Sequence, residues 1–133
     1  VVVDSSALVA IFLQEPEAAR FARTIGEEAR PIMSAANVLE TSIVLRALKR
    51  IAPADAESWL DEFLAAAAID VAPVTRQQLT VARAAHARFG KGSGHAAQLN
   101  FGDCFAYALA ISLGAPLLFK GDDFSRTDVE RAA

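Results

Sequence analysis

The spacing of apolar residues along this chain of 133 residues changes several times, and each change marks a predicted element. Val1, Val2 and Val3 form a β-branched run of the kind shown by a short interior strand, closed by Asp4-Ser5-Ser6. Residues 7–13 then suit a helix. Pro16, at a favoured first helical position, opens a second helix to about Ala29, with Ala18, Phe21, Ala22 and Ile25 as its buried stripe. Pro31-Ile32-Met33 predicts a strand ending at Ser34. The helical spacing of Val38, Leu39, Ile43, Leu45 and Leu48 predicts a long helix to Ile51.

Pro53 starts another helix, with Trp59, Leu60, Phe63 and Leu64 on its apolar side, and Ile69-Asp70-Val71-Ala72 alternates as a short strand. Thr75-Arg76-Gln77-Gln78 has the form of a capping box and leads a helix to Phe89. A glycine-rich loop precedes Leu99-Asn100-Phe101-Gly102-Asp103, which runs into a helix apolar or small around most of its circumference. Such a helix is buried, and Asp103 sits in its first turn. Gly114 and Pro116 stop it, and Leu117-Leu118-Phe119 predicts a last strand, closed by Lys120-Gly121-Asp122-Asp123-Phe124. Residues 125–133 are too short to define an element. Strands separated by helices predict an α/β fold with a parallel sheet.

Composition narrows this picture. Hydrophobic residues make up 53% and charged residues 22%, and no Pro- or Ser-rich linker divides the chain, so residues 1–133 are expected to form one domain. No apolar run approaches the roughly 20 residues of a membrane span. The first residues lack the basic region of a secretory signal, and a single cysteine allows no internal disulfide; both fit a cytoplasmic protein. Cys104 reads as a buried small hydrophobe and His86 as a partly buried structural histidine. Gly90-Lys91-Gly92-Ser93-Gly94 lacks the spacing of a Walker loop, and Lys91 and His95 read as solvated loop residues. A formal net charge of -3 argues against a broad basic surface for nucleic acid, but leaves open a phosphodiester held by metal ions on a cluster of acids.

Taken singly, the acids have plain explanations: Asp4 as a helix cap, Glu40 as a solvated helical residue. Together they follow a rule. Asp4 and Asp122 or Asp123 come directly after apolar strands, while Glu40 and Asp103 lie early in helices reached from strands or turns. In a parallel βαβ sheet these positions share one edge, so the carboxylates would gather at the carboxyl ends of the strands. An all-oxygen cluster of that kind suits Mg²⁺ or Mn²⁺ and serves phosphodiester hydrolysis. Asp4 and Asp103 would be direct ligands, Glu40 and Asp122 would place a second ion or orient water, and Ser6 would steady the phosphate or Asp4.

The sequence resembles a known family at these residues. Val2-Val3-Asp4-Ser5-Ser6-Ala7, the segment from Ser34 to Glu40-Thr41, Gly90-Lys91-Gly92 with His95, Leu99 to Ala108, and Leu117-Leu118-Phe119-Lys120-Gly121-Asp122-Asp123-Phe124 with Thr127-Asp128 look like a PIN-domain ribonuclease of the VapC toxin type. The resemblance covers nearly the whole chain, in order. It implies a three-layer α/β/α sandwich around a central parallel sheet, Mg²⁺-dependent cleavage of RNA, homodimers, and neutralisation by a VapB-type antitoxin laid along an apolar groove. It carries the acidic site to Asp4, Glu40 and Asp103, with Asp122 favoured as fourth acid, Asp123 as the alternative and Thr127 nearby. Ala96 stands where relatives often have proline. Two other readings compete: a phospho-receiver signalling domain, for which Lys120 would be the required lysine at a later strand end, and a PIN-like module that has lost catalysis and only binds a partner.

Overall fold

The computed structural model describes residues 1–133. In chain order the elements are β1 (Val2–Val3), α1 (Ser5–Phe12), α2 (Ala18–Glu27), β2 (Ile32–Ser34), α3 (Ala35–Ala47), α4 (Pro53–Ala66), β3 (Asp70–Ala72), α5 (Arg76–Phe89), α6 (Phe101–Leu113) and β4 (Leu117–Leu118), followed by a short 3-10 turn at Phe124–Arg126. The four strands form one parallel sheet in the order β3-β2-β1-β4.

The valine run explains the layering. Side chains alternate across a strand, so Val2 joins Leu117, Phe119 and residues of α5 and α6 in one core. Val1 and Val3 face the other way, into a second core with Met33, Leu118, Leu8, Phe21, Leu45 and Leu60. A sheet buried on both faces between two helical layers is the expected three-layer α/β/α sandwich. Chain order steps outward from β1 to β2 and β3, then returns to the other side of β1 as β4. The reversal between β1 and β4 is where open α/β sheets leave a crevice at the carboxyl ends of their strands. Asp4 follows β1, and Lys120 to Asp123 follow β4.

Three expectations need correction. Helix α2 starts at Ala18, so Pro16 lies in the turn before it rather than at its first position. The third helix ends at Ala47 rather than Ile51, with Leu48 extended as its C-cap. Pro53 at the start of α4 keeps Ala52 extended, and leaving the helix early lets Leu48 and Ile51 turn onto the core between α3 and α4. His86 is exposed on α5 rather than partly buried, while its neighbours Ala82, Ala85 and Phe89 take the buried side. Helix α6 is buried as expected: from Gly102 to Ala110 every residue but Phe105 is buried. Gly114 ends it with φ 61, in the left-handed region that glycine adopts without strain.

Candidate active site

Asp4 caps α1 and is 2% exposed. One oxygen, Oδ2, accepts the Ser6 amide at 3.0 Å, while the buried Oδ1 has no partner. Capping therefore spends half of the carboxylate. Asp103 is bound in a similar way by a reciprocal box: its amide donates to Asn100 Oδ1 at 2.9 Å, and its Oδ2 accepts the Asn100 amide at 3.0 Å. Glu40, half-buried on α3, is held by side chains instead. Ser5 Oγ donates to its Oε1, as does Asn37 Nδ2 at 3.2 Å.

These three acids share a cavity of about 320 Å³ with Ser5, Ser6, Glu15, Asn100, Lys120 and Asp123. Asp122, the favoured fourth acid, is exposed and lies outside the cavity wall; Asp123, the alternative, lines it. The loop geometry accounts for the exchange. Gly121, with φ 95, turns the chain after β4, and Asp123 enters the 3-10 turn in helical conformation, whose start is tied by the Ser125 amide donating to the Asp122 carbonyl at 3.1 Å. Thr127 is not brought to the cavity: its hydroxyl donates to the Phe124 carbonyl at 2.7 Å and accepts the Val129 amide at 3.3 Å, closing that turn. Ser6 does line the cavity, and its Oγ accepts the Lys120 amide at 3.0 Å, fixing the start of the loop that carries Asp123.

The electrostatics reflect the crowding. Burial pushes the Asp4 carboxyl up from 3.8 to about 6, partly offset by the Ser6 hydrogen bonds and reinforced by Glu40. Burial raises Asp103 from 3.8 to about 7 against the Asn100 hydrogen bond, with Asp4, Asp123 and Glu40 all adding repulsion. Lys120 does not relieve this, because its ammonium is engaged by Glu15 and, at 3.5 Å, by Glu17. That pairing also removes the free lysine a phospho-receiver would need.

The donor set fits a hard divalent cation. Its donors are carboxylate, hydroxyl and amide oxygens with no histidine or cysteine among them, the one amine, Lys120, is held by Glu15 and Glu17, and Asp4 contributes a buried oxygen that nothing in the protein satisfies. As placed, no three of the acids close round a single ion; Glu40 is turned to Ser5 and Asn37, and one oxygen of Asp103 is spent on its cap. The sequence did not single out Ser5, Glu15, Asn100 and Gly102 as neighbours of these acids, and Lys120 stood out only as a candidate phospho-receiver lysine. Only Asn100 left a readable signal, since Asn-x-x-Asp before an apolar run is a capping pattern.

Beside the cavity, Phe101 and Phe105 meet edge to face with ring centres 4.9 Å apart and separate two apolar grooves. One, about 410 Å³, runs between α5 and α6 along Leu79, Ala82 and Cys104; the other, about 200 Å³, runs between α3 and α6 along Leu39, Ile43 and Val44. Phe101 is 79% exposed and Leu39 59%. His95, expected to be solvated, instead accepts the Ala97 amide at 3.0 Å and packs edge-on against Phe89.

Several known proteins are similar to this chain. The PIN domain family model matches residues 1–130. Ribonuclease VapC28 of Mycobacterium tuberculosis is 47% identical over 131 residues, which cover 98% of this chain and 96% of the relative. Ribonuclease VapC of Mycolicibacterium smegmatis is 44% identical over 128 residues, 96% of each. Among solved structures, the sarcin-ricin loop cleaving toxin VapC20 of Mycobacterium tuberculosis has a TM-score of 0.75 at 17% identity, covering 96% of this chain and 95% of its own. VapBC2 of Rickettsia felis, bound to a DNA fragment from its promoter, has a TM-score of 0.74 at 14% identity, covering 98% and 94%. These two show the same fold.

Proposed function

Since the chain belongs to the PIN-domain family, among its VapC ribonucleases, we propose that it is the toxin of a toxin–antitoxin pair and hydrolyses RNA phosphodiester bonds with Mg²⁺, for which Mn²⁺ can substitute. The observation that carries the metal reading is the buried, partnerless Asp4 Oδ1 in a cavity shared with Glu40, Asp103 and Asp123, and with Glu15, which Lys120 neutralises. Four clustered acids repel one another, and a dication is the simplest neutraliser of an all-oxygen set. When bound, the cation supplies a Lewis acid that lowers the pKa of a water and offsets charge on the phosphate.

The side chains have distinct tasks in this reading. Asp4 and Asp103 hold the cation with the oxygens their caps leave free. Glu40 orients the attacking water or a second ion, and Asp123 takes the role first expected of Asp122. Ser6 positions Asp123 through Lys120. Residues 1–133 act as one PIN domain. A cognate VapB-type antitoxin is the partner, and we assign its apolar segment to the grooves flanking Phe101 and Phe105, where exposed Leu39, Ile43 and Leu79 lie. The active species is a homodimer that works in the cytoplasm, and no helix is long and apolar enough to cross a membrane.

The test is cleavage of several RNAs by purified protein with Mg²⁺, Mn²⁺ or EDTA, beside Asp4→Asn and Asp103→Asn prepared identically. Cutting should require a divalent ion and vanish in both variants; equal cutting by the variants would mean a contaminating nuclease and end the assignment.

A further inference from the structure

We propose that Asn37 and Gly102 are a matched pair of positioning residues for the Glu40 carboxylate, Asn37 by bonding it and Gly102 by leaving room for it. The proposal rests on the metal-dependent ribonuclease reading. Asn37 is wholly buried on α3, one turn before Glu40. Its Nδ2 donates to Glu40 Oε1 at 3.2 Å and to the Gly102 carbonyl at 2.9 Å. Both partners are acceptors only, which fixes the orientation of the amide. One side chain thus ties α3 to the first turn of α6, the turn that carries Asp103.

Gly102 completes the fit. A Cβ on Gly102 would fall inside the Glu40 carboxylate, so Oε2 occupies the space where any other side chain would begin. The glycine is otherwise unnecessary, since it lies in an ordinary helical turn where alanine is the better helix former.

The cost of the arrangement also points to Glu40. Asn37 Oδ1 is buried without a partner, a penalty that an apolar side chain packing α3 on α6 would avoid. Glu40 shares one cavity with Asp4 and Asp103, where like charges repel. A long, flexible carboxylate in that field would swing to solvent unless held, and holding it in advance reduces the ordering cost of binding a cation.

The test is a pair of double-mutant cycles read by Mn²⁺ affinity of metal-stripped protein, from the EPR signal of free Mn²⁺, with RNA cleavage and thermal melting alongside. Asn37→Ala and Gly102→Ala should each weaken Mn²⁺ binding about tenfold in the otherwise native chain. Either change made on top of Glu40→Ala should alter it by less than about twofold. In that background Gly102→Ala should not lower the melting temperature, because the carboxylate that crowds the new methyl is gone and alanine is the better helix former. Losses that persist without Glu40, or single variants that bind as the native chain does, would overturn the proposal. Should Asn37→Ala fail to fold, the Gly102 cycle decides alone, since the three atoms nearest its new Cβ all belong to the flexible end of Glu40. A native chain that takes up no Mn²⁺ would be a different result, bringing down the metal reading and this proposal with it.

Discussion

The floor and the rim of the acidic cavity are built by different means. On the floor, Asp4 and Asp103 are fixed by main-chain amides of their own helix starts, through Ser6 and Asn100, and both are buried. At the rim, Glu40 is held by side chains from α1 and α3, and Asp123 is carried by an exposed loop whose start is fixed by Ser6. Burial raises the pKa of both floor acids, which therefore pay for their position in charge. A local backbone cap can hold an acid rigidly wherever a helix begins; holding a long side chain from another layer needs partners that only the assembled fold supplies.

The sharpest way to break this comparison is to neutralise one acid from each part. Asp103→Asn should lower RNA cleavage by about 10²–10³-fold or more, with circular dichroism unchanged because asparagine can still occupy the cap. Asp123→Asn should lose about 10–100-fold, in line with a supporting ligand. Equal losses would erase the distinction between floor and rim.

Stability against pH examines the floor alone. Both folded-state pKa values stand above the ordinary 3.8, so the folded chain binds more protons than the unfolded one through the window between 3.8 and about 7. The stabilisation is complete below the unfolded value and is lost as pH rises through about 6 for Asp4 and about 7 for Asp103. Denaturant melts in EDTA should therefore show stability falling from pH 4 to pH 8 by an amount on the order of a few kcal/mol. Asp103→Asn should flatten the upper part of that fall.

Magnesium should reverse it. At a hundredfold excess over Kd, Mg²⁺ should stabilise the native chain by ~3 kcal/mol at pH 8, and Asp103→Asn by much less, as read from the shift in melting temperature. The smallest effect belongs to Asp122→Asn, expected to leave cleavage within about twofold of native because that side chain lies outside the cavity wall. A loss as large as that of Asp123→Asn would return the fourth acid to Asp122.

Much of this was legible before any coordinates. Short valine and leucine runs ending in acids marked the strands and the edge where Asp4 would stand, and the apolar circumference after Asp103 marked a buried helix. Both are local properties, since period and termination depend on neighbours a few residues away. The end of α3 was not legible, because Leu48 leaves the helix for a core that α4 completes. The exposure of His86 was missed for the same reason: its helix had a buried stripe, but only packing on α6 decided which side faced in.

The sequence alone determined the alternation of strands and helices, the kind of chemistry its acids could perform and three of the positions that share the cavity: Asp4, Glu40 and Asp103. Tertiary structure decided which of two adjacent aspartates faces inward, because a positive φ at Gly121 and a turn closed over Asp122 rotate the chain by amounts that composition does not encode. It also decided how Glu40 is held: Asn37 lies one turn away on the same helix, but its tie to the Gly102 carbonyl, 65 residues on, and the room left by the missing Cβ of Gly102 exist only when α3 and α6 pack side by side.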